Sequence, residues 1–349
     1  MHNSMRIEQN YSLENHNTFH IQAKARWFME YDNEEELNRI LRDEFFQECL
    51  SLHIGEGSNL LFINDFDGVV VHSRIKGIAV TDDTPQSVLL RVGAAERWDD
   101  VVAFAVSQGW GGIENLSNIP GEAGAAAVQN IGAYGAEIKD TIETVETYNQ
   151  LSFEKCIFTN EECRYGYRHS YFKETGHDPY IITHINLRLQ KTPQYRLDYG
   201  NLAEMLKGCE TSLHSVRKAV IEMRRSKLPD PKELGNAGSY FMNPVIPCEL
   251  PVDNSKLKID NGKLTMGNTK IPFYPVSEGF VKIPAAWLIE QCGFKGKREG
   301  NVGVYEKQAL IIVNYGGATA AEIASFADKI IQTVQEKFGI TLIPEVKYV

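Results

Sequence analysis

The chain has 349 residues, too many for one ordinary core and enough for two or three domains of about 100–200 residues each. Apolar residues make up 43% and charged residues 23%, and no stretch reaches the about 20 apolar residues that a membrane helix requires. A formal charge of -10, from 36 basic against 46 acidic residues, argues against a broad nucleic-acid surface, although an anionic substrate would still need a local cluster of Lys and Arg.

The opening residues, MHNSMRIEQNYSLENHN, lack the basic start, apolar run and small-residue cleavage site of a signal peptide, so a cytoplasmic location is expected. A strand is predicted over Ala25 to Tyr31. Helical spacing of Leu37, Ile40 and Leu41 predicts a helix over Glu34 to Arg42. Ser51 to Ile54 reads as a strand, leading into Gly55-Glu56-Gly57-Ser58-Asn59 and the apolar run Leu60 to Ile63. Val88 to Val92 predicts another strand, followed by a helix from about Arg97 to Ser107. Trp110 to Gly135 is rich in Gly, Ala and Asn with weak periodicity: either a loop system wrapped around a ligand or a poorly ordered linker. Trp110, Ile113, Leu116, Ile119, Ile131 and Tyr134 favour the wrapped loop.

Strands return at Thr141 to Tyr148 and Tyr180 to Leu189, and a helix is predicted from about His214 to Arg225, ending at Lys227-Leu228-Pro229-Asp230-Pro231. The last helix carries the plainest signals. Thr319 and Glu322 form a capping-box pattern; Ile323, Phe326, Ala327, Ile330, Ile331 and Val334 recur at helical spacing, and Gly339 ends it before an extended apolar tail. The cysteines, at 49, 156, 163, 209, 248 and 292, form no C-x-x-C pair and read as reduced thiols. The histidines show no H-E-x-x-H spacing, so no metal is expected.

Several segments carry chemistry. In Gly55-Glu56-Gly57-Ser58-Asn59, two glycines one residue apart permit positive φ and close backbone approach. Their amides, with the Ser58 and Asn59 side chains, form a donor set for a pyrophosphate; an ordinary hairpin turn has the same composition. No G-x-G-x-x-G opens a helix, so a nucleotide site here is not of the Rossmann kind. The small residues of 114 to 135 would let backbone lie flat against a planar ring, or simply pack closely with no ligand. Cys163-Arg164-Tyr165-Gly166-Tyr167-Arg168 is either a guanidinium clamp for a carboxylate or a strand edge with solvated arginines. Ser239, in Gly235-Asn236-Ala237-Gly238-Ser239-Tyr240-Phe241, is a turn residue or an accessible hydroxyl, without the G-x-S-x-G of a hydrolase. Glu345, between Pro344 and Val346, is an edge residue or a buried site acid.

In order, Asn17-Thr18-Phe19, the 55–59 turn, Ile119-Pro120-Gly121, Gln129-Asn130-Ile131-Gly132-Ala133-Tyr134-Gly135, the 163–168 segment, Lys227 to Lys232, Gly235 to Phe241 and Pro344-Glu345-Val346 resemble the UDP-N-acetylenolpyruvoylglucosamine reductase family over nearly the whole chain. Tyr199-Gly200 resembles the loop of its longer, type I form. The resemblance implies an α+β fold, with a two-part FAD-binding domain of the vanillyl-alcohol-oxidase (PCMH) type and a C-terminal α+β substrate-binding domain. The implied division is 1–75 (joined by the tail, about 340–349), 76–212 and 213–339. It also implies NADPH-dependent reduction of UDP-N-acetylglucosamine enolpyruvate to UDP-N-acetylmuramate in peptidoglycan synthesis, by a cytoplasmic monomer with non-covalent FAD.

Carried over residue by residue, Arg168 would polarise the substrate carboxylate, Ser239 would donate the proton, and Glu345 would assist. Cofactor contacts would fall on Gly55, Glu56, Gly57, Ser58, Asn59, Ser117, Ile119, Pro120, Gly121, Gln129, Asn130, Gly132 and Ala133. Substrate contacts would fall on Tyr167, Tyr199, Arg224, Lys227, Asn243, Tyr274 and Gln308. Tyr305 departs from the family pattern, standing where a histidine is expected. The rival readings are an FAD oxidase acting on an alcohol, which would need a base instead of an acid, and a nucleotide-sugar or flavin binder without chemistry.

Overall fold

A computed structural model describes residues 6–174, 179–247, 257–260, 263–266, 269–277 and 279–349. The chain forms two compact units. The first takes in Lys24–Gly57 and Asp65–Ser226 with the N-terminal strand; the second takes in Leu13–Ala23, Ser58–Asn64 and the described parts of Lys227–Val349.

The first unit holds a four-stranded and a five-stranded sheet, with a short two-stranded ladder between Gly132–Ala133 and Ala136–Glu137. In one, Arg6–Ser12 runs antiparallel to Lys24–Tyr31, which pairs in parallel with Phe66–Ser73, which in turn pairs in parallel with Ser51–Ile54. Val69, Val70 and Val71 are all buried, the continuous apolar run expected where a parallel strand is covered on both faces. Helix Glu34–Arg42 starts where Asn33 Oδ1 accepts the Glu36 N–H at 2.9 Å, and it packs Leu37, Ile40 and Leu41 into the same core.

The second sheet has five antiparallel strands in the order Lys155–Thr159, Ile142–Asn149, Tyr180–Gln190, Ser87–Gly93 and Ile78–Asp83. Val88, Leu90 and Val92 alternate into a core shared with helix Trp98–Ser107.

The 110–135 stretch is not a linker. It contains a one-turn helix at Glu114–Leu116 and an α-helix at Ala123–Gln129, which Asn130 ends in the left-handed region at φ 42. Ala123, Gly124, Ala126 and Ala127 are buried, so this helix has no polar face and gives no amphipathic period. The 163–168 segment is not a strand edge either. It is a turn in which Arg164 and Arg168 take φ 45 and φ 53.

In the second unit, helix Ala320–Phe338 shows both capping-box bonds, buries Ile323, Phe326, Ala327, Ile330 and Val334, and ends at Gly339 with φ 70. Lys347–Tyr348 pairs in parallel with Leu60–Leu61. No described helix is long and apolar enough to cross a membrane.

Candidate active site

In the first unit, strand Ser51–Ile54 runs into Gly55-Glu56-Gly57. Gly57 is buried with φ 70, and a Cβ at Gly55 would stand 2.9 Å from Glu122 Oε2. A side chain is disfavoured at both. Among the described residues, no acceptor meets the N–H groups of Gly55, Glu56 or Gly57. Unpaired amides in a glycine turn make a ready anion site.

The second candidate cofactor segment is stitched to the start of helix Trp98–Ser107. Trp98 Nε1 donates to Leu116 O and the Trp98 N–H donates to Gly121 O, both at 2.9 Å. Asn118 N–H donates to Asp99 Oδ1 at 2.5 Å, and Ala123 N–H donates to Glu96 O at 2.8 Å. Ser117 is fully buried, its hydroxyl donating to Glu114 O at 2.6 Å, while Pro120 is exposed. Gly121 N–H donates to Glu56 Oε2 at 3.2 Å, so the glycine turn and this wall meet.

The wall continues through Asn130. Its amide nitrogen donates to Gly166 O at 2.7 Å and to Glu137 Oε2 at 3.1 Å, which ties it to the arginine turn. Arg168 Nη2 donates to Gly132 O at 2.9 Å. Lys173 Nζ donates to Arg168 O at 2.9 Å and to Gln129 Oε1 at 3.0 Å. The Arg168 guanidinium lies 5.6 Å from the Tyr167 ring centroid. Gln129, Gly132, Tyr167 and Arg168, assigned from sequence, therefore share one neighbourhood with Ala133.

Arg224 joins it from helix Leu213–Lys227, donating from Nε to Asn118 O at 3.0 Å. Burial pushes its pKa down, Tyr134 and Asp99 oppose that, and the charge of Arg168 adds to it. No carboxylate pairs with Arg224 among the described residues. Arg168 and Arg224 thus each bond a backbone carbonyl of the same wall, and planar guanidiniums suit an anionic guest. Tyr199 is exposed and meets the Tyr134 ring edge-on with centroids 6.0 Å apart; Lys227 is exposed as well.

In the second unit, Glu345 N–H donates to Tyr240 O at 2.8 Å and Met242 N–H to Ile343 O at 2.9 Å, so the C-terminal segment pairs alongside the residues that follow Ser239. Asn236 Oδ1 accepts the Gly238 N–H at 2.9 Å and shapes the turn before the serine. Ser239 is half-buried, and its hydroxyl makes no hydrogen bond to a described residue. Asn59 Nδ2 donates to Glu345 O at 3.1 Å, so within this unit Asn59 supports the Glu345 backbone. Asn243 Oδ1 accepts the Ala285 N–H at 2.9 Å at the start of helix Ala285–Gln291, and Gln308 Oε1 accepts the Leu310 N–H at 3.3 Å. Tyr274 is exposed.

Sequence reasoning missed two partly buried clusters. His72 sits between Glu30 Oε1 at 3.2 Å and Glu122 Oε1 at 3.1 Å, directly behind the glycine turn. Asp99 takes a two-pronged bond from Arg217, at 2.6 Å and 3.0 Å. Elsewhere Glu34, Glu146 and His184 bring ligand atoms within 4.8 Å of one another, but Arg91 at 2.7 Å and Lys155 at 2.8 Å already neutralise Glu146. That cluster is an ion-pair network.

Unpaired amides, a wall of small residues and anchored backbone carbonyls fit a non-covalently held FAD. A family model described as an FAD binding domain matches residues 26–150, and one described as UDP-N-acetylenolpyruvoylglucosamine reductase, C-terminal domain, matches 230–349. A Porphyromonas gingivalis protein named UDP-N-acetylenolpyruvoylglucosamine reductase is 49% identical over 347 residues, covering 99% of this chain and 100% of the relative. One of the same name from Bacteroides fragilis is 44% identical, covering 98% and 100%. The crystal structure of the Thermus caldophilus reductase shares the fold at TM-score 0.67 and 22% identity, covering 99% of each chain.

Fold and cofactor site together define an FAD-dependent oxidoreductase of α+β architecture, with an FAD binding domain over residues 26–150. Within that class, the chain belongs to the UDP-N-acetylenolpyruvoylglucosamine reductase family.

Proposed function

We propose that the chain reduces UDP-N-acetylglucosamine enolpyruvate to UDP-N-acetylmuramate, with NADPH as hydride donor, in peptidoglycan precursor synthesis, and that Arg168, Ser239 and Glu345 act on the substrate. A bound FAD would supply hydride-transfer chemistry between NADPH and the substrate alkene. The residues that hold it are Gly55 to Asn59, Ser117, Ile119 to Gly121, Gln129, Asn130, Gly132 and Ala133.

Hydride arriving at the methylene carbon leaves negative charge on the neighbouring carbon and its carboxylate. A fixed guanidinium at Arg168 stabilises that charge without reorganising. Glu345 helps only when neutral or bonded to a cation, because a bare carboxylate would repel it. Ser239 gives the proton to the substrate carbon. A serine hydroxyl is a weak acid, so its competence rests on placement beside a strongly basic carbanion. Tyr167, Tyr199, Arg224, Lys227, Asn243, Tyr274 and Gln308 hold the UDP-sugar and its carboxylate.

The same reading divides the chain into 1–75 with the tail, 76–212 and 213–339, and makes it a cytoplasmic monomer serving cell-wall growth, cell shape and division.

The observation that carries the chemical reading is the pair of neighbouring guanidiniums, Arg168 and Arg224, each bonded to a carbonyl of the candidate cofactor wall. The visible spectrum of the purified protein tests it. Flavin bands should bleach with NADPH and return anaerobically on adding the enolpyruvyl sugar; rapid return with oxygen alone and none with the sugar would point to an oxidase instead.

A further inference from the structure

Asn118 sits at a left-handed φ of 59 inside the second cofactor segment, and both ends of its peptide environment are held by charge. Its N–H donates to Asp99 Oδ1 at 2.5 Å, and its carbonyl accepts from Arg224 Nε at 3.0 Å. Asp99 lies in the first turn of helix Trp98–Ser107, where the helix dipole favours an anion. Arg217 fixes that carboxylate with both prongs, Nη1 to Oδ1 at 2.6 Å and Nη2 to Oδ2 at 3.0 Å. Arg217 and Arg224 are two turns apart on helix Leu213–Lys227. One helix thus holds Asn118 at the carbonyl directly and at the N–H through Asp99. Burial alone would push the Asp99 carboxyl up, but the Arg217 guanidinium and the Asn118 amide outweigh it and hold it below the usual carboxylate range.

We infer that Asp99, locked by Arg217, is a positioning residue of this enzyme: it fixes the Asn118 peptide, and with it both the Ile119-Pro120-Gly121 segment offered to the flavin and the orientation of Arg224. The inference rests on the reading that this segment contacts FAD. A charge-assisted bond to a half-buried amide is strong because the lost partner leaves the other group unsatisfied. Replacing the carboxylate by its isosteric amide removes the charge, and nearly the same shape remains.

The test uses apoprotein of Asp99→Asn and Arg217→Lys. FAD titration followed by fluorescence quenching should show dissociation constants raised roughly 10- to 100-fold in Asp99→Asn, and raised by a smaller factor in Arg217→Lys, which keeps the charge and loses the fork. Substrate KM should rise in both, because Arg224 loses its fixed partner. Melting each apoprotein separates support of the fold from positioning: a lower Tm with FAD affinity within twofold of the parent overturns the inference. If Asp99→Asn does not fold, Arg217→Lys carries the same twofold criterion. Hydrogen exchange of the parent with and without FAD tests the underlying reading independently. No protection of 117–121 by FAD sinks that reading, whereas protection there with unchanged FAD affinity in the variants sinks the positioning role alone.

Discussion

Arg168 is bonded through Nη2 to the carbonyl oxygen of Gly132 at 2.9 Å, which anchors a cation to the wall proposed to meet the flavin. Its backbone is held from the other side, by Lys173 Nζ at 2.9 Å from Arg168 O, and takes φ 53. A guanidinium held at its tip and at its base has little freedom left to lose when charge develops beside it.

Arg168→Lys should keep a positive charge but lose the planar fork. The substrate-dependent step is expected to slow about 10²–10³-fold, the usual cost of removing one preorganised donor, with reduction by NADPH nearly unchanged. Rapid-mixing measurements of the two half-reactions check this, and equal slowing of both would count against a role confined to substrate.

Gly57→Val should abolish FAD retention. Gly57 has φ 70 and is buried, so a branched side chain meets both backbone strain and crowding at the amides proposed to hold the diphosphate. The protein should purify colourless, and FAD should no longer raise its Tm.

How much of this was legible beforehand depended on whether the signal was local. Helix Ala320–Phe338 announces itself through Thr319, Glu322, a row of apolar residues and Gly339, all within one stretch of chain. The glycine turn and the arginine turn were legible as residue types. Their meeting with Gly121 and Gly132 was not, because those contacts close loops of 65 and 36 residues. Helix Ala123–Gln129 was missed because its run of Ala and Gly carries no apolar–polar alternation of the kind that identifies helices. Asp99 and Arg217 stand 118 residues apart, and neither occupies a motif, so no pattern along the chain pairs them.

His72 gives the protein a pH signature. Burial lowers its pKa, but bonds from Glu122 and Glu30 outweigh that and raise it overall; burial also raises the Glu122 carboxyl. Both shifts mean that the folded state binds more protons, so stability falls as pH rises. The His72 contribution is fully present below its ordinary pKa of 6.5 and is lost as pH climbs through the raised value. Tm recorded from about pH 6 to 9 should therefore fall less steeply in His72→Gln than in the parent; identical slopes would dismiss the cluster as a proton-linked element.

The central claim is that the hydroxyl at 239 delivers the proton to substrate carbon. Anaerobic stopped-flow absorbance of Ser239→Ala tests it most directly. Bleaching of the flavin bands by NADPH should proceed at close to the parent rate, while their return on adding the enolpyruvyl sugar should slow by about 10²–10⁴-fold, the span associated with one positioned acid. A return as fast as the parent's would contradict the account.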